Sequence, residues 1–338
     1  TQAAADMAGL NVDFIINEPT AAALAYSFQS GKNLNGTFVI YDLGGGTFDC
    51  TIAKIKDQDI DILTSQGISK LGGKDFDLAI SKLVSEKYKL QTGNDLDSQE
   101  FNSNDAEELK ITLSSREKAN ARISGDVITV TKDEFHSAIS SLLAQTEMAV
   151  ETALSNVSLK STDITDIILV GGSTRIPAVQ ESIKKLFKKD PVVFGNPDES
   201  VALGASIYAA YKSDSTKLNP LQKNAISKLR LSEAAPHFFG MISMSDDASG
   251  RLSKRNSIII PKDETIPCSI TESYYTMHDG QEAVTCTVTQ CSIDETDPQF
   301  IDIIWEGELK VPGGRSAGQE IKVTISYKED GKKRAEFM

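Results

Sequence analysis

The chain has 338 residues, 40% hydrophobic and 25% charged, which gives a soluble, globular composition with room for two or three domains. Its net charge of −13 excludes the basic footprint that nucleic-acid backbones require. No apolar run approaches a membrane span and no signal peptide opens the chain, so neither nucleic acid nor membrane is expected as a partner and a reducing cytoplasm is the expected home.

In chain order, a helix is expected from Thr1 to Ala8, then a strand at 12-VDFII-16. The segment 17-NEPTAAALAYSF-28 follows as a helix, with Pro19 in its first turn and alanines propagating it. The runs 37-TFVIYD-42 and 47-TFDCTIAKI-55 read as two strands joined by a tight glycine hairpin in 42-DLGGGTFD-49. In the second strand Thr47, Asp49, Thr51 and Ala53 share one face. Glycines at such a tip leave N–H groups uncovered for an anion. Asp42 and Asp49 would repel that anion unless a hydrated cation such as Mg²⁺ lay between. The competing reading of the octapeptide is a plain turn with aspartates as turn formers.

A third strand, 59-DIDILTSQG-67, continues the meander. Helices at about 74–92 and 104–118, a small hairpin near 121–130 and a long helix at about 132–156 come next. The strand 166-DIILV-170 turns through two glycines into a helix, where Ser173 or Thr174 can cap and Pro177 fits the first turn. A final helix at 198–211 closes an α/β region over 1–212. Residues 213–235 are polar and read as a linker, within which Leu229 and Leu231 could add a strand elsewhere. Beyond Pro236, strand-like runs at 257–261, 268–276, 283–291, 300–309 and 320–327 read as an all-β sandwich over 236–338. Cys50, Cys268, Cys286 and Cys291 show no metal or redox spacing; Cys50 and Cys286 sit in strand patterns as small core or pocket residues.

Five motifs occur in one order: 17-NEPTAAALAY-26, 42-DLGGGTFD-49, 72-GGKDFD-77, 169-LVGGSTRIPAVQ-180 and 196-NPDESVALGAS-206. Together they closely resemble the seventy-kilodalton heat-shock chaperone family, the DnaK type. The resemblance implies the second half of an actin-like ATPase domain, partial and mainly its second lobe, followed by a β-sandwich peptide-binding domain. It implies ATP or ADP with Mg²⁺ as cofactors, and unfolded or extended polypeptide clients, a J-domain co-chaperone and a nucleotide-exchange factor as partners.

By the same resemblance Glu18 matches the carboxylate that positions water, and Asp42 and Asp49 match the pair that holds hydrated Mg²⁺. Gly44, Gly45, Gly46 and Thr47 match the phosphate cradle, with the Thr47 hydroxyl near the transferred group. Glu107, Lys110 and Ser114 match positions touching ribose and adenine, and their spacing of three and four puts them on one helix face. Gly171, Gly172, Ser173, Arg175 and Asp198 match the opposite wall, with Arg175 available to stack on the base. Met241, Met244, Tyr274, Met277 and Val284 are the candidates for an apolar peptide cleft, with ordinary sandwich core as the alternative.

Three departures qualify the expectation. The family's first phosphate loop and catalytic lysine precede the point where this chain begins, so hydrolysis is expected of the intact protein rather than of this segment. The family's leucine-rich interdomain linker is replaced by 224-NAISKLRLSEAAP-236, in which Lys228 and Arg230 change the charge and put the coupling in question. The family's helical lid is not found after the expected sandwich, which fits either a chain cut at Met338 or a lidless relative. The expected function is an ATP-dependent chaperone; the rivals are a nucleotide-binding scaffold without hydrolysis and a small-molecule kinase on the same fold, for which the β region has no obvious job.

Overall fold

A computed structural model describes residues 2–30, 34–192, 195–246, 250–328 and 332–338. The chain divides into two compact units, residues 17–230 and residues 231–338 together with 1–16. Helix α1 (Gln2–Met7) opens the chain, and Thr1, where it was expected to start, lies outside the described residues. The expected strand at 12–16 does not form, because no regular element falls between Met7 and Glu18. Its residues are exposed or half-exposed, so no buried face fixes a register for those β-branched side chains.

Residues 17–230 are built on a mixed sheet. Helix α2 (Glu18–Gln29) comes first, and its Ala21–Ala25 run is fully buried. Strands β1 (Asn35–Leu43), β2 (Phe48–Lys56) and β3 (Asp59–Ile68) form an antiparallel meander. Helices α3 (Gly73–Thr92) and α4 (Ser103–Ser115) follow, then the hairpin β4 (Lys118–Ile123) and β5 (Asp126–Thr131) and helix α5 (Lys132–Asn156). The expected extension of α4 to residue 118 is cut at Ser115, because Arg116 turns extended and Lys118 is recruited to the β4 ladder. A reciprocal cap starts α5: Thr131 N donates to Glu134 Oε2 at 2.8 Å and Glu134 N to Thr131 Oγ1 at 3.3 Å.

Strand β6 (Asp166–Val170) adds parallel to β1, so the chain must cross over between them. Helices α6 (Pro177–Phe187), α7 (Ser200–Lys212) and α8 (Pro220–Ile226) complete the unit. One face of the sheet, carrying Val39, Tyr41, Leu43, Cys50 and Ile52, packs into a core with Phe76, Phe135 and Val150. Tyr41 Oη donates to Thr146 Oγ1 at 2.8 Å and fixes α5 to β1 there. The opposite face meets α2 through Tyr26 and Phe38, whose ring centroids are 5.9 Å apart. Helix α7 packs on α2 so closely that a Cβ at Gly204 would overlap the Ala21 carbonyl, so only glycine permits that crossing.

The segment expected as a linker holds two regular elements. Helix α8 is capped by Asn219 Oδ1 accepting from Gln222 N at 2.9 Å, and strand β7 (Arg230–Ala234) follows it. In residues 231–338, β7 pairs with the short β10 (Thr265–Ile266), which follows β8 (Phe238–Asp246) and β9 (Leu252–Ile260). Strands β11 (Cys268–Tyr275), β12 (Ala283–Cys291), β13 (Asp302–Lys310), β14 (Glu320–Tyr327) and β15 (Lys333–Phe337) complete it. One antiparallel sheet runs β13-β12-β8-β9 and a second runs β11-β14-β15. Phe239, Met241, Ile259 and Val288 from the first sheet share one core with Ile321, Val323, Ile325 and Tyr327 from the second. All four cysteines are free thiols. No helix among the described residues is long and apolar enough to cross a membrane.

Candidate functional site

The glycine hairpin between β1 and β2 is held from behind. Gly44 N donates to Thr47 O at 3.1 Å and closes the turn. The Gly44 carbonyl accepts from Gly73 N at 2.9 Å and from Ser173 Oγ at 2.9 Å, and the Gly45 carbonyl accepts from Lys74 N at 2.8 Å. Carbonyls are therefore drawn toward the first turn of α3 and toward the β6–α6 junction. The N–H groups of Gly45 and Gly46 have no acceptor among the described residues, and both glycines are exposed with Thr47 beside them. Uncovered backbone N–H groups of this kind can donate to an anion. Gly44 is a correction to the expected cradle, because its N–H and carbonyl are both committed inside the protein and it shapes the hairpin instead of presenting a donor.

The β6–α6 junction corrects a second expectation. Neither Ser173 nor Thr174 caps α6; both lie in a 3-10 turn over Gly172–Arg175, and α6 begins at Pro177 with Ile176 as an uncapped N-terminal residue. The two hydroxyls are spent locally, Ser173 on Gly44 O and Thr174 Oγ1 on Gly171 O at 2.6 Å. Gly171 has φ of +83°, and a Cβ there would press on the Leu43 carbonyl and the Asp42 carboxylate, so glycine is required on both counts.

A cavity of about 1040 Å³ opens beside the hairpin. It brings together Gly45, Glu107, Lys110, Ser114, Gly172, Ser173, Arg175 and Asp198, which the sequence reading had drawn from four separate segments. On α4 the Lys110 Nζ lies 2.8 Å from Asp77 Oδ1 on α3 and donates to Gly73 O at 3.2 Å. Burial raises the Asp77 carboxyl above the usual range, against the pull of the Lys110 charge. Ser114 Oγ donates to Lys110 O at 2.9 Å, which leaves its lone pairs free to accept. In the same lining, Arg175 Nη2 donates to Asn196 Oδ1 and to Asp198 Oδ2, each at 2.7 Å, which anchors the guanidinium.

Outside that lining, an acidic group gathers at the same end of the sheet. Asp42 and Asp49 are cross-strand partners, so their side chains leave the sheet on one face. That is the face carrying Phe38 and α2, and Glu18 opens α2. Burial, with the Glu18 and Asp49 charges added, pushes the Asp42 carboxyl up to about 7. Burial, with Glu18 added, pushes Asp49 up to about 6. Like charges opposite one another destabilise a ladder, so this pair fits a site that a cation relieves. Among the described residues no three His, Cys, Asp or Glu side chains converge as a direct ligand set. The arrangement therefore suits a cation held through its own waters, the mode Mg²⁺ favours.

The sequence reading missed Gly73, Lys74, Asp77, Leu78, Ser81 and Ile111, all of which line the cavity. The motif 72-GGKDFD-77 held the signal: on a helix, Lys74, Asp77 and Ser81 recur at three and four and share a face.

The peptide-cleft candidates fare differently. Met241 is 4% exposed and belongs to the shared core of the two sheets, which corrects its assignment to a cleft. Tyr274 and Val284 are half-buried against that core, and Tyr274 Oη donates to Ser257 Oγ at 2.9 Å. Met244 and Met277 are 42% and 41% exposed. A cavity of about 220 Å³ in this unit, beside Thr276, Pro312 and Gln319, is lined by none of the five.

A family model described as "Hsp70 protein" matches residues 1–333. The chain is 39% identical over 306 residues to the stromal 70 kDa heat shock-related protein of Pisum sativum, covering 86% of this chain and 40% of that protein. It is 35% identical over 333 residues to the chaperone protein HscA of Proteus mirabilis, covering 98% of this chain and 51% of that one. It is 38% identical over 351 residues to the chaperone protein DnaK of Thermosipho africanus, covering 98% and 55%. The chain thus spans about half the length of the curated relatives it matches, or less.

Proposed function

The chain belongs to the Hsp70 family, and we propose that it is the portion of an ATP-dependent molecular chaperone that joins nucleotide chemistry to the grip on polypeptide. The observation that carries the reading is a donor-presenting glycine hairpin, a large cavity beside it and a half-buried acidic pair, all within residues 17–230. In this reading that unit is the later part of an actin-like ATPase domain. Residues 236–338 are a β-sandwich that binds extended apolar segments of unfolded proteins in the cytoplasm.

The proposed roles are those the resemblance implies, and the geometry supports them. The Gly45 and Gly46 N–H groups bind the phosphates, and the exposed Thr47 hydroxyl offers a hydrogen bond to the transferred group. Glu107, Lys110 and Ser114 take the sugar and base from one side; Gly171, Gly172, Ser173, Arg175 and Asp198 wall the other. A hydrated Mg²⁺ held by Asp42 and Asp49 would supply the positive charge that lets two carboxylates and a phosphate chain share the site. Glu18 orients a water whose oxygen bonds to the γ-phosphorus as the bond to the bridging oxygen breaks, giving ADP and phosphate. Positioning and electrostatics supply most of the rate in such transfers. Met244 and Met277, with the flanks of Tyr274 and Val284, are the proposed peptide contacts, since flexible thioethers adapt to varied side chains. A J-domain protein and a nucleotide-exchange factor are proposed as partners.

Single-turnover ATP hydrolysis by the intact gene product tests the reading. Glu18→Ala is expected to slow turnover by about a hundredfold, the scale of a lost positioned acid–base group. An intact protein that binds ATP without hydrolysing it, with Glu18→Ala changing nothing, would make it a nucleotide-binding scaffold.

A further inference from the structure

The sheet β13-β12-β8-β9 ends in two unlike edges. At β9 the loop before β13 covers the outer side: Asn256 N donates to Thr296 O and Arg255 Nη2 to Thr296 Oγ1, each at 2.8 Å. Outside β13 no strand lies among the described residues. The apolar side chains there are open: Phe300, just before the strand, is 71% exposed, Ile303 56%, Ile304 45% and Trp305 49%. A bare apolar edge is a template for another strand.

Trp305 is already placed along that edge. Its ring stacks on Phe337 of β15, with 5.7 Å between centroids and 25° between planes. It also lies over Gly307, where a Cβ would overlap the ring. The ladder to β12 is regular from Trp305 to Lys310 and skips Ile304. Along the strand the charges run from acid to base, Asp302, Glu306 and Glu308 and then Lys310. An antiparallel copy of the same strand reverses that order, so its charges complement those of the first.

We infer that β13 pairs antiparallel with β13 of a second copy, about a two-fold axis at Glu306, and closes a dimer. In this register Trp305 of each copy lies opposite Gly307 of the other, which has no side chain to compete with the indole. Beyond the bulge, Ile303 and Asp302 come toward Leu309 and Lys310 of the other copy. The one like-charge contact is Glu306 with its own counterpart. Thr287 Oγ1 donates to Glu306 Oε2 at 3.2 Å and draws that carboxylate back toward β12.

Sedimentation velocity of the intact gene product over a concentration series tests this, with a reversible dimer expected. Asp302→Lys and Lys310→Asp should each weaken the dimer by about tenfold, since two pairs change sign together, and the double exchange should restore it. Ile303→Lys should weaken it at least as much, and Glu306→Gln should strengthen it. Under mild oxidation Glu306→Cys should cross-link two copies and Glu308→Cys should not, because only residue 306 meets itself across the axis. A monomer at every concentration, or a dimer indifferent to the charge exchange and to Ile303→Lys, would overturn the inference. So would a monomer whose Ile303→Lys variant loses an extended peptide, which would assign the edge to another chain.

Discussion

The two units place their functional groups in opposite ways. In residues 17–230 the groups that matter are polar, and several lie where polar groups are costly: a buried ion pair and two half-buried aspartates with raised carboxyls, beside exposed backbone N–H groups left open. In residues 231–338 the candidate contacts are apolar, and the same residue types build the core. The first arrangement announces itself, because a buried carboxylate or an uncovered glycine hairpin has few structural reasons to exist. The second does not, because a methionine on a strand packs equally well against a sheet or a ligand.

The sharpest test of that contrast is the buried ion pair. Lys110 and Asp77 have side chains only 10% and 11% exposed, so Asp77→Ala strands a buried ammonium and should cost about 3–5 kcal/mol. Trp305 is the only tryptophan and lies on β13, so urea unfolding followed by its fluorescence reports on residues 231–338. Asp77→Ala should shift the far-ultraviolet circular dichroism transition of the helical unit and leave the Trp305 transition in place. Coincident shifts in both signals would dissolve the comparison.

Next come the methionines. Met241→Ala opens a cavity between the two sheets and should cost about 2–5 kcal/mol, read from the Trp305 transition. Met244→Ala, on the exposed part of the same strand, should cost under about 0.5 kcal/mol and instead weaken binding of a labelled apolar peptide. Equal stability losses would show that Met244 is core as well.

A smaller effect tests the acidic pair. The Asp42 carboxyl is raised to about 7 in the folded protein, so between pH 4 and 7 the folded state binds more protons than the unfolded state. Its favourable contribution is present below the ordinary carboxylate pKa and is lost as pH rises through about 7. Asp42→Asn should therefore raise the thermal midpoint of this unit by roughly 2–6 °C at pH 8, with the gain vanishing near pH 4. A gain at pH 4 that disappears at pH 8 would reverse the assigned sign. Smallest of all, Glu336→Ala removes an exposed 2.8 Å pair with Arg334 and should change stability by less than about 1 kcal/mol in denaturant titration.

These contrasts explain what could be read from the chain alone. The meander, the crossover strand, α5 and most of the β-strands were legible because period and turn residues agree there. The strand expected at 12–16 failed because propensity without a ladder fixes nothing. The linker held α8 because Asn219-Pro220 is a helix start inside a polar stretch. The acidic pair and the glycine walls were legible as motifs. Leu78 and Ile111 were not, since their place in the cavity comes from two helices brought side by side. Met241 was misplaced because strand alternation says which face a residue takes, not what covers that face.

Under the proposed function nucleotide bound in one unit governs grip in the other, and the most direct measurement is peptide release. A fluorescent extended apolar peptide bound to the intact protein should dissociate at least about tenfold faster when ATP is added than when ADP is added. A release rate indifferent to nucleotide, from a protein that binds both, would contradict the account.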